Sequence, residues 1–150
     1  MRASFETVNY TLRPKKQIER KIIIECLREV LSRLGRNISD YHYVGMGAIY
    51  YYDFILFHKF LRIRSMISID KHWTRNRFVF NRPYDFIQFK NVDSSQFLRK
   101  YTFQGRTIIW MDYDYSIFRN VGGDIVQTNI LDDLLIVLGK AKPGDVFIVT

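Results

Sequence analysis

Tyr43-Val44-Gly45-Met46-Gly47-Ala48-Ile49 carries a short apolar strand into two closely spaced glycines and then into a helical pattern. An α/β nucleotide fold builds its ligand turn this way: glycines let the backbone come close to the ligand, and the following helix aims its free N–H groups at it. A glycine pair alone is a weak signal. It gains weight because Asp70 closes the next strand-like run, Ser65-Met66-Ile67-Ser68-Ile69-Asp70, and further acids close the runs after that.

Before the turn, Pro14 suits the opening of a helix that extends to Leu34, with Gly35 as its stop. Ile18, Ile22, Cys26, Val30 and Leu34 recur every fourth position, which predicts an apolar stripe facing the core, Cys26 included. After the turn, the pattern predicts a second helix over 48–61, a strand ending at Asp70 and a short basic helix or loop over 71–80. A third strand over 86–89 comes next, ending near Asn91 and Asp93, with a polar helical turn over 94–100. Thr107-Ile108-Ile109-Trp110-Met111 is the most strand-like run and ends in Asp112-Tyr113-Asp114-Tyr115. Gly122-Gly123 reads as loop, 125–138 as helix and 146–149 as a fifth strand.

Strands alternating with helical segments imply right-handed crossovers and a mostly parallel sheet. The expected fold is α/β, a Rossmann-like three-layer sandwich with strand order 3-2-1-4-5 behind a leading helix. Residues 1–40 hold the N-terminal segment and that helix, and 41–150 the core, all within one structural domain. Thr150 falls inside an apolar strand, and an unpaired apolar edge is an aggregation liability. We therefore expect a partner chain, a second copy or further sequence to cover the fifth strand.

With 150 residues, 47% hydrophobic and 25% charged, the chain has enough apolar material for a real core. Its formal charge of +8 favours acidic partners, nucleic acid among them. Arg13, Lys15, Lys16, Arg20 and Lys21 are the candidate phosphate-binding face on the leading helix. One cysteine excludes an internal disulfide, and no run reaches the roughly 20 apolar residues needed to span a bilayer, so a reducing, cytoplasmic setting is expected. His42, His58 and His72 lack metal-ligand spacing, and there is neither a G-x-S-x-G elbow nor a P-loop lysine.

In open parallel sheets, ligands sit beyond the carboxyl ends of the strands. Gly45 and Gly47 come after the first strand, Asp70 after the second, Asp93 after the third and Asp112 after the fourth. This arrangement resembles the class I S-adenosylmethionine-dependent methyltransferases over nearly the whole chain. The runs Leu12-Arg13-Pro14-Lys15-Lys16-Gln17-Ile18-Glu19-Arg20, Tyr43-Val44-Gly45-Met46-Gly47, Ser68-Ile69-Asp70-Lys71 and Trp110-Met111-Asp112-Tyr113-Asp114 are similar to bacterial O-methyltransferase-like proteins in particular.

The resemblance implies that Gly45, Met46 and Gly47 hold the methionine part of S-adenosylmethionine. It assigns the ribose hydroxyls to Asp70, with Lys71 beside it, and the adenine amine to Asp93. Asp112, with Asp114, would orient or deprotonate an unidentified acceptor. Two departures stand out. Tyr43 replaces the acid usual two residues before the first glycine, leaving Asp53 or Asp112 to meet the cofactor's amino group, and Ile49 replaces the third glycine. The family's last two strands are also absent. The competing readings are a non-catalytic module that binds nucleic acid or a partner protein through its basic helices, and a nicotinamide-binding oxidoreductase domain.

Overall fold

The computed structural model describes residues 14–71, 75–113 and 115–150. Helix α1 (Pro14–Arg33) leads. Strand β1 (His42–Met46), helix α2 (Tyr52–Leu61), strand β2 (Ser65–Asp70), helix α3 (Arg75–Asn81), strand β3 (Ile87–Asn91), helix α4 (Ser94–Lys100) and strand β4 (Thr107–Met111) come in turn. Strands β5 (Phe118–Val121) and β6 (Asp124–Gln127), helix α5 (Ile130–Lys140) and strand β7 (Val146–Val149) complete the order. The main sheet runs β3-β2-β1-β4-β7 with every neighbouring pair parallel, so counting its own strands the order is the expected 3-2-1-4-5.

Two apolar layers sandwich the sheet. Ile24, Leu27 and Leu31 of α1 join Phe54, Phe57 and Leu61 of α2 and Phe78 of α3 over Tyr43, Met66, Ile108 and Trp110. On the other face Leu98 of α4 and Val137 of α5 cover Val44, Ile69, Ile109 and Met111. Strand β4, central and buried along its whole length, is apolar after Thr107 for that reason. Full burial of one such large side chain is worth about 1.5–3 kcal/mol.

Helix α1 ends as Gly35 predicts. At φ +62° its N–H donates to Ser32 O at 2.9 Å while Arg36 N–H donates to Leu31 O at 2.9 Å, the two hydrogen bonds of a Schellman cap. The face that α1 buries is not the predicted one. Ile18, Ile22, Val30 and Leu34 are each more than half exposed, and Cys26 is exposed as well. A four-residue spacing precesses about 40° per step on a 3.6-residue helix, so five such positions sweep roughly 160° and cannot all face one way. Ile24, Leu27 and Leu31, at three- and four-residue intervals, form the tighter stripe, and Arg20 extends it toward α2.

Two other boundaries differ from expectation. Helix α2 starts at Tyr52, four residues late, because Tyr51 is held at φ +50° just before it. That residue is fully buried, its ring lies edge-on to Phe54 and Phe78, and its hydroxyl donates to Phe78 O at 3.0 Å. Packing holds a tyrosine where glycine would be the easier choice. The segment expected as helix from Ile125 begins instead as β6, paired antiparallel with β5 around Gly122 and Gly123. Both glycines have positive φ, as a two-residue type I′ hairpin turn requires, and Ile125 and Val126 are β-branched residues suited to the strand.

Candidate functional site

At the carboxyl ends of β1, β2, β3 and β4 lies a cleft of about 300 Å³. It brings together six of the residues singled out from sequence: Met46, Gly47, Asp70, Lys71, Asp93 and Asp112. Parallel register makes this automatic. Met46 pairs with Ile69, and Asp70 with Asn91, so each strand delivers its last residue to the same rim.

Asp70 supplies the most unusual chemistry. Burial raises its carboxyl to about 7, against a backbone hydrogen bond from Lys71 that lowers it, and no cation pairs with it among the described residues. A carboxylate partly stripped of water and left unpaired is poised to accept from a ligand's hydroxyls. Beside it, Gly47 donates its N–H to Ile69 O at 2.7 Å, and a Cβ on Gly47 would strike the hydroxyl of Ser68.

Asp93 does two things. It is the N-cap of α4, where Oδ1 accepts from Ser95 N at 3.1 Å and Gln96 N at 3.4 Å. Oδ2 has no hydrogen-bond partner among the described residues and stays available to the cleft that Asp93 lines. Asp112 is similarly divided. Its Oδ1 accepts from Lys16 Nζ at 3.1 Å and from Thr150 Oγ1 at 2.8 Å.

Gly45 lies one layer down. It faces Tyr43, which is 1% exposed and packed against Phe54 and Phe57 with ring centroids 4.9 and 4.5 Å away. A Cβ on Gly45 would sit 2.7 Å from Tyr43 Cζ. This glycine therefore makes room for the phenol that replaces the family's acid, and it is absent from the cleft wall.

The basic face on α1 is dispersed. Arg20, 3% exposed, pairs with Asp53 at the start of α2 and lies 5.4 Å over the Tyr52 ring. Burial pushes the Asp53 carboxyl up, and the Arg20 guanidinium offsets part of that push. Lys16 bridges Glu19 and Asp112, each at 3.1 Å. Burial alone would lower its ammonium, but these two carboxylates outweigh that and raise it. Lys15 and Lys21 remain exposed. Arg13, Asp114 and His72 lie outside the described residues.

Sequence reasoning passed over the opposite wall. Tyr113, Tyr115 and Ser94 line the cleft, and behind them sits Asp133, fully buried in the first turn of α5. Its Oδ2 accepts from Tyr113 Oη at 2.8 Å, Asn129 Nδ2 at 3.2 Å and Ser94 Oγ at 3.3 Å. Burial, then the bond to Asp133, raises the Tyr113 hydroxyl far above its ordinary value. The only sequence signal was a pair of acids near a helix start, which the dipole favours anywhere.

A parallel β3-β2-β1-β4-β7 sheet behind a leading helix, with glycine and acids gathered at its carboxyl edge, defines a Rossmann-like fold of the class I methyltransferase type. The chain belongs to the family described as "Putative O-methyltransferase", whose model matches residues 8–150. A search of curated proteins found no match. Membership makes this a methyltransferase-like protein of an S-adenosylmethionine-binding fold class, with its acceptor unidentified.

Proposed function

We propose that the cleft binds S-adenosylmethionine and serves O-methyl transfer to a hydroxyl-bearing acceptor. The observation that carries this is Asp70, a desolvated carboxylate with no cationic partner among the described residues, at the end of β2 and next to Gly47. Two vicinal hydroxyls can donate to its two oxygens together, which a phosphate or a simple anion cannot do. Gly47 leaves the neighbouring wall without a side chain, and Asp93 Oδ2 offers a second acceptor across the cleft for an exocyclic amine.

When bound, the cofactor supplies a methyl group already activated on a sulfonium, so the protein's share is alignment and removal of a proton. Asp112 is the residue suited to that share. Lys16 and Thr150 fix one of its oxygens, which sets the direction of the other. It can orient an acceptor hydroxyl and accept its proton.

Calorimetry with S-adenosylmethionine, S-adenosylhomocysteine and NAD tests the reading. Binding of the first two that is lost in Asp70→Ala supports it, and NAD binding in their place would move the site to oxidoreductase chemistry. Among the described residues the buried Arg20 and the bridged Lys16 count against a phosphate-binding role for α1.

A further inference from the structure

Asp133 is a carboxylate with 0% exposure and no cation within ion-pair distance among the described residues. Burying such a group is costly unless it is held by donors. Three neutral donors meet on its Oδ2, the first turn of α5 adds a favourable dipole, and Oδ1 has no partner among the described residues. The network reaches further through Asn129, whose Nδ2 also donates to Ser95 Oγ at 2.7 Å and whose Oδ1 accepts from Tyr115 Oη at 2.8 Å.

These contacts join three separate pieces of chain: the segment after β4 carrying Tyr113 and Tyr115, the start of α4 carrying Ser94 and Ser95, and the start of α5. Ser94, Tyr113 and Tyr115 all line the cleft, and Asp93, the proposed partner of the base amine, precedes Ser94 directly. An unsatisfied buried carboxylate is costly, so Asp133 keeps its place only while the donors from the segment after β4, from α4 and from Asn129 meet it together. What a carboxylate adds is several acceptor positions on one atom, and so a common fixed point for hydroxyls on different elements.

We infer that Asp133 is a positioning residue for the nucleoside end of the cleft, fixing Tyr113 directly and the start of α4 through Ser94, and Tyr115 through Asn129. The inference rests on the cofactor reading above. It adds a determinant of selectivity that touches no ligand itself. Removing it loosens two walls together while leaving Asp70 and Gly47 in place.

The test uses Asp133→Ala, Asp133→Asn and Tyr113→Phe, singly and with Tyr113→Phe added to Asp133→Ala, on the intact chain. Asparagine keeps an acceptor oxygen of the same shape, so affinity for S-adenosylhomocysteine should fall about tenfold in Asp133→Ala and stay near wild type in Asp133→Asn, as for loss and rescue of one strong hydrogen-bonded contact. Adding Tyr113→Phe to Asp133→Ala should cost little more, because both remove the same link. Full additivity, or wild-type affinity in a folded Asp133→Ala, overturns the proposal.

Amide hydrogen exchange without ligand keeps this proposal separate from the cofactor reading. Asp133→Ala should speed exchange over 94–98 and 111–118 together and leave β1 and β2 unchanged. Uniform acceleration, or none, overturns the anchor whatever the wild type binds. If wild type fails to bind S-adenosylhomocysteine yet the two segments loosen together, the cofactor reading fails and the anchor stands. Should Asp133→Ala not fold, Tyr113→Phe and Ser94→Ala carry the same comparison, each expected to loosen its own segment and the other.

Discussion

The side-chain space of Gly45 is occupied by the ring of Tyr43, whose Cζ would lie 2.7 Å from a Cβ placed there. The two residues stand on the same side of β1, two positions apart, as strand periodicity demands. A glycine that resembles a ligand contact in sequence is thus a packing requirement set by its neighbour.

Gly45→Ala should destabilise the fold by about 1–3 kcal/mol through overpacking, since Tyr43 is wedged between Phe54 and Phe57 and cannot swing away. Because the phenol oxygen is the nearest atom, Tyr43→Phe should recover part of that loss. Urea denaturation of the four variants of the cycle measures the coupling. Strictly additive effects would mean that the two do not compete for this space.

Asp70 predicts a pH dependence. Its carboxyl is at about 7 in the folded protein and about 3.9 in an unfolded chain, so between those values the folded state holds a proton that the unfolded state has released. Stability from this group is full below about pH 4 and is lost as the pH rises through about 7. Asp70→Asn should therefore remove a downward slope in melting temperature over that window. Ligand binding runs the other way: affinity for S-adenosylhomocysteine should rise roughly tenfold from pH 6 to pH 8 as the stronger, ionised acceptor forms, and Asp70→Asn should flatten the profile. Calorimetry at several pH values reads both slopes.

The two oxygens of Asp93 can be separated by substitution. Asp93→Ala removes the cap of α4 and should cost about 1 kcal/mol of stability. Asp93→Ser keeps a capping oxygen and should melt near wild type, yet bind S-adenosylhomocysteine as weakly as the alanine variant does. Equal binding by Asp93→Ser and wild type would take the base amine away from Asp93.

Arg20 and Asp53 form a buried pair between α1 and α2. Asp53→Ala removes the carboxylate that accepts from a guanidinium only 3% exposed and should cost about 1.5–3 kcal/mol, measurable by denaturant titration. Arg20→Lys should not restore wild-type stability, because an ammonium cannot reproduce the planar fork or its stacking over Tyr52. Retained stability in Asp53→Ala would show that Arg20 has another outlet for its charge.

Much of this architecture is written locally. β-Branched and aromatic runs, four of them closed by Gly or Asp, marked five parallel strands, and strand ends in a parallel sheet converge without further instruction, so Asp70, Asp93 and Asp112 reach one cleft. The features that escaped depend on choices made between elements. Helix α1 has apolar residues on two sides, and the packing of Ile24, Leu27 and Leu31 together with the Arg20–Asp53 pair turns one of them inward, a choice made between elements. Ile125 and Val126 satisfy helical spacing as readily as strand pairing, and the hairpin is set by the two glycines before them, both at positive φ. Asp133 was invisible because its importance lies in three donors from distant sequence positions, none of which is unusual alone.

Among the described residues, two of the ion pairs of α1 reach across position 40 to later elements. Through Arg20 the leading helix neutralises the entrance to α2, and through Lys16 it steadies the carboxylate at the end of β4. A polypeptide beginning at residue 41 would keep every strand of the sheet and every acid of the cleft. It would also carry Asp53 without Arg20 and Asp112 without Lys16, so a helix that lends no described residue to the cleft wall still sets a cation against one of the cleft's acids.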